Sequence, residues 1–185
     1  MNCIVNHVRC NNIIVEDVVV DGLTVRLDPF FINGTVFKQV TLKGKIGTLC
    51  LRGKPLPGLA AGTGFETDEV APLLAANAEY YKHVDWALDI SEGLFSAIDI
   101  EGIPVHLIRR DPATQFVITR RRATEIDWLN FEFQGDYAPG VLDIFLKDRP
   151  EDSAVVIVAG KRSRTFRETL ADLQMLREKG VAEPD

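Results

Sequence analysis

With 185 residues, the chain is long enough for one large domain or two small ones with a real core. Apolar residues at 46% and charged residues at 26% lie close to the average of folded soluble proteins, which excludes disorder as a global state. The net charge of −6 is unevenly placed: residues 1–66 hold seven Lys and Arg against five Asp and Glu, and residues 67–185 hold fourteen against twenty-two. Such a balance is poorly suited to nucleic acid, where phosphate neutralisation by Lys and Arg supplies most non-specific affinity. It suits a basic protein partner, and solubility alone also accounts for it.

Cys3, Cys10 and Cys50 are too few, and odd in number, for a disulfide framework. The N-terminus does not read as a signal peptide, and no stretch reaches the ~18 to 20 apolar residues of a membrane helix. A cytoplasmic location without membrane contact is the expectation. Asn33-Gly34-Thr35 matches a glycosylation sequon, which carries no weight without an export signal.

Residues 3–44 repeat every five residues. Apolar or small residues pair across one intervening residue at Cys3/Val5, Val8/Cys10, Ile13/Val15, Val18/Val20 and Leu23/Val25. After an insertion at Arg26-Leu27-Asp28-Pro29 the pairs resume at Phe30/Ile32, Thr35/Phe37 and Val40/Leu42. Between them lie the dipeptides Asn6-His7, Asn11-Asn12, Glu16-Asp17, Asp21-Gly22, Asn33-Gly34, Lys38-Gln39 and Lys43-Gly44. Residues spaced by two point to one side of an extended segment, and a two-residue corner turns the next segment's pair inward as well. Four sides would close one coil, so eight units make about two coils of a short β-solenoid, the architecture that fixed-period repetition signals. A β-meander with hairpin turns at Asp21-Gly22 and Asn33-Gly34 is the alternative. It leaves the turn chemistry at Asn11-Asn12 and Glu16-Asp17 unexplained, because those sites are too close together for paired strands.

These repeats resemble the pentapeptide-repeat family over about a quarter of the chain. The resemblance implies a right-handed, four-sided β-helix. This sequence departs from the family pattern in the bulk of its first inward residues, Val8, Ile13, Val18, Leu23 and Phe30, where a small residue is usual.

The expected organisation is a solenoid over residues 1–52, a Gly/Pro-rich connection over 53–66 (Gly53, Pro55, Pro57, Gly58, Gly62, Gly64) and an acidic α+β domain over 67–185. In the last, a helix is expected from about Pro72 to Val84, with Leu73, Ala76, Tyr80 and Val84 on one face and Tyr81 free for an interface. Strand-like runs follow at 95–100, 104–109, 115–121, 128–133, 141–146 and 154–159, forming an antiparallel or mixed sheet. The C-terminal helix carries the clearest signals. Thr165 and Glu168 form a capping box, Phe166, Leu170, Leu173 and Leu176 share a face, and Gly180 closes it.

Three groups are candidates for chemistry. Cys3, His7, Cys10 and Cys50 have the ligand types of a zinc site, but the repeat turns the cysteines inward and His7 outward, so a hydrophobic core role is the better reading. Arg109-Arg110, Arg120-Arg121-Arg122 and Lys161-Arg162-x-Arg164 could converge into one basic patch, the first two if a hairpin joined their strands; charged sheet edges that discourage aggregation are the favoured reading. Gly160, Lys161, Arg162 and Ser163 join a strand to a helix start, where free amides hold anions, though the phosphate-loop glycine is missing. His83 and His106 lack a nucleophile motif, and the helix dipole accounts for His83. Trp86 and Trp128 read as core anchors.

The leading expectation is a non-enzymatic protein-interaction module with no cofactor and no metal; the resemblance to pentapeptide-repeat proteins implies one version of it, a bacterial immunity or inhibitor protein that binds a basic partner. The alternative is an enzyme or ligand-binding domain holding an anionic small molecule with Arg109, Arg110, Arg120, Lys161, Arg162 and Ser163. Solenoid ends expose unpaired backbone and apolar surface unless capped. The α+β domain is positioned to cap one end, and a homodimer is expected through the other.

Overall fold

The computed structural model describes residues 3–55 and 70–184. Most of the expected 53–66 connection, including Pro57, Gly58, Gly62 and Gly64, lies outside those residues. The fold is mixed α+β, with four α-helices among the described residues and a helix near the C-terminus. None of these helices is long and apolar enough to cross a membrane.

The N-terminal strands are β1 (Cys3–Asn6), β2 (Arg9–Asn11), β3 (Ile14–Glu16), β4 (Val19–Arg26), β5 (Phe30–Asn33), β6 (Val36–Lys38) and β7 (Val40–Arg52). None pairs with its chain neighbour as a meander would require. Cys3 lies beside Leu23 and Cys10 beside Ile32; Val15 lies beside Phe37 and Val20 beside Leu42, and every one of these pairings is parallel. Partners thus stand 20 to 22 residues apart, in parallel register. The corners explain the polar dipeptides. His7, Asn12, Asp17, Gly22, Leu27, Gly34, Gln39 and Gly44 all have positive φ. Each is five residues after the last, except Gly34, which follows Leu27 by seven across Asp28-Pro29. In that left-handed conformation the corner amide can point to the next layer: Asn12 N–H donates to Asn33 O at 2.9 Å and Asp17 N–H to Lys38 O at 3.0 Å.

The parallel ladder runs on past residue 52. After helix α1 (Val70–Tyr81) come β8 (Leu88–Asp89), β9 (Gly93–Glu101) and β10 (Ile108–Arg109). β9 pairs along β7 from Gly44↔Gly93 to Arg52↔Glu101, β8 pairs with the start of β7, and β10 pairs with β8, all parallel. Apolar columns therefore rise through the stack. Leu23, Ile46 and Phe95 form one, Ile32, Leu51 and Ile100 another, and Val40, Leu88 and Ile108 a third. On the β3–β6 side, α1 takes over from a strand. Tyr81 is buried, and its hydroxyl accepts the Phe37 amide at 3.2 Å while Tyr80 Oη–H donates to Glu16 at 2.6 Å. Tyr81 is thus core rather than interface, because the helix lies flat on the open edge of β6 and both tyrosines meet the sheet.

A two-stranded antiparallel ribbon, β11 (Gln115–Thr119) with β12 (Ala154–Val158), covers the top of this stack. Val117, Val156 and Val158 join the ladder's core, while Phe116, Ile118, Val155 and Ile157 face α2 (Arg120–Glu125), α3 (Tyr137–Asp148) and α4 (Phe166–Glu178). This is the two-sided alternation expected of a strand buried on both faces.

Several expected strands take other forms. Residues 141–146 are helical within α3, where Ala138, Leu142 and Phe145 are buried at helical spacing. Residues 128–133 contain a 3-10 turn, Trp128–Asn130, whose indole N–H donates to Ala123 O at 3.1 Å. Within 104–109 only β10 is extended, and 115–121 turns helical at Arg120 because Thr119 caps α2 by accepting the Arg122 amide. The expected Thr165–Glu168 capping box does not form: Thr165 makes no side-chain cap, and Ser163 Oγ instead accepts the Thr165 amide at 3.2 Å. Gly180, at φ +80°, does close the helix.

Candidate interaction surface

The two ends of the stacked ladder differ. At the upper end the edge of β9 is occupied: Arg162 N–H donates to Phe95 O at 3.1 Å, and Arg162 Nη1 reaches down to Ile46 O at 3.1 Å. Gly160 lies so close that an added Cβ would sit 2.8 Å from Ser96 O, which is why glycine stands at this connection. The Gly160–Ser163 turn is therefore a clamp between the two halves of the fold.

At the lower end nothing among the described residues covers the first layer. β1, β2 and β3 each pair with one strand only, above them. The inward side chains show the consequence. Val8, Ile13 and Val18 are 41%, 39% and 37% exposed, whereas one layer higher Thr35 is 0% and Val40 2% exposed. Full burial of a Val or Ile side chain stabilises by about 1.5–3 kcal/mol, so this layer leaves part of that gain unrealised. Ile4, Ile14 and Val19 on the outer surface of the same layer are also exposed, so apolar groups line both the mouth and its rim. The charges at this end have both signs: Arg9, Glu16, Asp17 and Asp21. Arg9 stacks over Phe31 at 5.1 Å, and Glu16 pairs with Lys38 at 3.5 Å. The Tyr80 hydroxyl and Lys38 hold the Glu16 carboxyl below its usual range. His7 pairs with Asp28 at 2.6 Å, on a corner.

The basic residues are dispersed. No hairpin joins residues 104–109 to 115–121, because β10 pairs with β8 and β11 with β12. Arg109 lies over the Trp86 ring at 4.3 Å, and Arg110 Nη1 donates to Gln115 O at 2.8 Å. Arg120 is structural: Nε donates to Asp152 O, Nη1 to Leu146 O, and Nη2 to Phe145 O and Arg149 O, at 2.6 to 3.3 Å. It thereby satisfies carbonyls at the C-terminus of α3, groups that a helix leaves without internal partners. Lys161 pairs with Asp111 at 2.9 Å, and Ser163 Oγ lies 2.9 Å from Thr165 Oγ1. Arg121 pairs with Glu125, and Arg122 donates to Gly180 O. A cleft of about 610 Å³ runs between the ladder and the ribbon, lined by His106, Arg110, Glu151 and Asp152. Its carboxylates face Lys54, which is 2.9 Å from Glu151 and 3.9 Å from Asp152.

One charged cluster escaped the sequence reading. Buried Arg149 binds both Asp99 oxygens at 2.9 and 3.0 Å, Arg52 lies 3.6 Å from Asp99 and 3.5 Å from Glu101, and Arg149 Nε is 3.6 Å from Glu101. The one local signal is the alternation of Asp99 and Glu101 with Ile98 and Ile100, which marks an outward row on β9. Beside it, burial first and then the charge of Asp99 push the Cys50 thiol up. Burial, with Asp99 and Cys50, pushes Tyr137 up to about 12. Cys3, Cys10 and Cys50 are free thiols. Against models of known protein families, against characterised proteins and against solved structures, the chain matches nothing.

Proposed function

We propose that this chain is a non-enzymatic protein-interaction module: a short four-sided β-solenoid of the pentapeptide-repeat kind, capped at one end by an α+β unit and docking another protein chain at the other. The observation that carries it is the contrast between those ends, one clamped by Gly160 and Arg162 and one with Val8, Ile13 and Val18 open at the unpaired side of β1, β2 and β3. Parallel partners about one round apart and a left-handed corner every five residues support the solenoid form. The acidic surplus of residues 67–185 favours a basic protein as a partner for the outer surface, the setting of an immunity or inhibitor protein. An anion-binding pocket draws less support, because four donors of Arg120 are spent on backbone carbonyls and Lys161 on Asp111.

The test uses the full chain immobilised as bait, with captured proteins identified by mass spectrometry. Ile13→Asp with Val18→Asp is expected to release the specific captures, and Lys147→Glu on α3 is expected to retain them. Captures indifferent to the first pair would overturn docking at the open end.

A further inference from the structure

We infer that the occupant of the open end is a second copy of this chain, docked end to end across a two-fold axis; the inference rests on the docking reading above. Three features of the first layer favour a copy over an unrelated chain. Its edge strands β1, β2 and β3 present unpaired N–H and C=O groups on their lower side, and a two-fold axis perpendicular to the stack sets two such edges antiparallel, a geometry that sheet hydrogen bonds accept. Its apolar groups are distributed around the mouth, so Val8, Ile13 and Val18 of one copy can cover Val20, Val15 and Cys10 of the partner subunit. Its charges are mixed in sign, which suits self-pairing better than binding to a uniformly basic surface.

The charges also select the axis. A two-fold passing through the β1 and β3 sides lays β2 of one copy over the opening of β4 of the other. Arg9 then stands over Val19 of the partner subunit, between the partner's Asp17 and the partner's Asp21 at the two corners of that side. Ile4 and Ile14 each meet their own symmetry mate, so apolar rim positions cover one another. The alternative axis, through the β2 and β4 sides, would stack Arg9 on its own copy, a like-charge contact that costs free energy. The structure thus assigns a closed, isologous pair, which also removes the lower edge as a template for open-ended aggregation.

Sedimentation equilibrium on the full chain tests this. The wild type is expected to be dimeric. Arg9→Glu and Asp21→Lys, both on exposed side chains, are each expected to weaken self-association about tenfold or more. Mixed in equal amounts, the two variants are expected to recover the dimer, because each then offers the other the opposite charge. Unchanged thermal melts of both variants keep the comparison free of folding effects. A wild type that stays monomeric up to its solubility limit overturns the second copy as occupant. Two variants that do not recover on mixing overturn the register. If the wild type is monomeric but its captures are still released by Ile13→Asp with Val18→Asp, docking at this end stands and only the occupant is wrong.

Discussion

The corner residues set the geometry of the N-terminal half one backbone angle at a time. An L-residue in the left-handed region costs roughly 1–2 kcal/mol, and only glycine, and to a lesser degree Asn and Asp, enters it easily. Gly22, Gly34 and Gly44 meet this demand, as do Asn12 and Asp17, while Leu27 at φ +72° and Gln39 at φ +54° bear the strain. Leu27 is mostly exposed, so its side chain gives little in return. Leu27→Gly is expected to stabilise by about 1 kcal/mol. Gly34→Ala is expected to destabilise by about 1–3 kcal/mol, since φ is +61° there and a Cβ would collide with Asn12 Oδ1. Thermal melts check both, at about 2–4 °C per kcal/mol for a chain of this size. These corners were legible because most of their residues advertise the conformation in their chemistry. Leu27 was not, as an apolar residue at a corner carries no such sign. Its angle shows that the five-residue period persists through position 27, and that the extra residues are Asp28 and Pro29.

At the scale of elements, tyrosines fasten helices to the ladder. All three tyrosines of the chain, Tyr80, Tyr81 and Tyr137, lie at such seams and all have raised pKa values. Burial is the first cause in each case; the Glu16 carboxylate adds to it at Tyr80, and Tyr81 is pushed up to about 12. A folded value above the unfolded one means that the neutral phenol is favoured by folding. That contribution is whole below the unfolded value of about 10 and is lost as pH rises through the folded values. A spectrophotometric titration is therefore expected to show little tyrosinate near pH 10, then a cooperative rise that coincides with loss of the circular dichroism signal. An ordinary tyrosine titration in a still-folded chain would contradict the docking of α1 and α3. Helix α3 itself was misread as a strand. Pro139 and Gly140 look like punctuation, and Val141, Ile144 and Leu146 invite an extended reading, yet Pro139 sits in the first turn of the helix, where a missing N–H costs nothing.

For the molecule as a whole, the lower layers were readable and the upper ones were not. The strands before residue 44 repeat locally, so adjacent residues reveal their period. The later strands are joined by pairings such as Leu51 with Ile100, between residues far apart in sequence and separated by a helix, which leave no local period. The same limit governs the charged groups. Arg109, Arg110 and Arg120 lie close in sequence, but the fold sends each to a different carbonyl or ring. Arg149 and Asp99 meet across a separation that only the assembled fold supplies.

Strand β7 runs for thirteen residues through the middle of the stack, bordered by β4 and β5 below and by β8 and β9 above. In a stack where each layer is held mainly by its neighbours, resistance to local opening grows with the number of layers on either side. Deuterium uptake by backbone amides in dilute solution should thus be graded along the stack: fastest in β1, β2 and β3, slower in β5, and slowest in β7, whose protection reports global unfolding. Uniform uptake across β1 to β7 would mean that the layers open as one body.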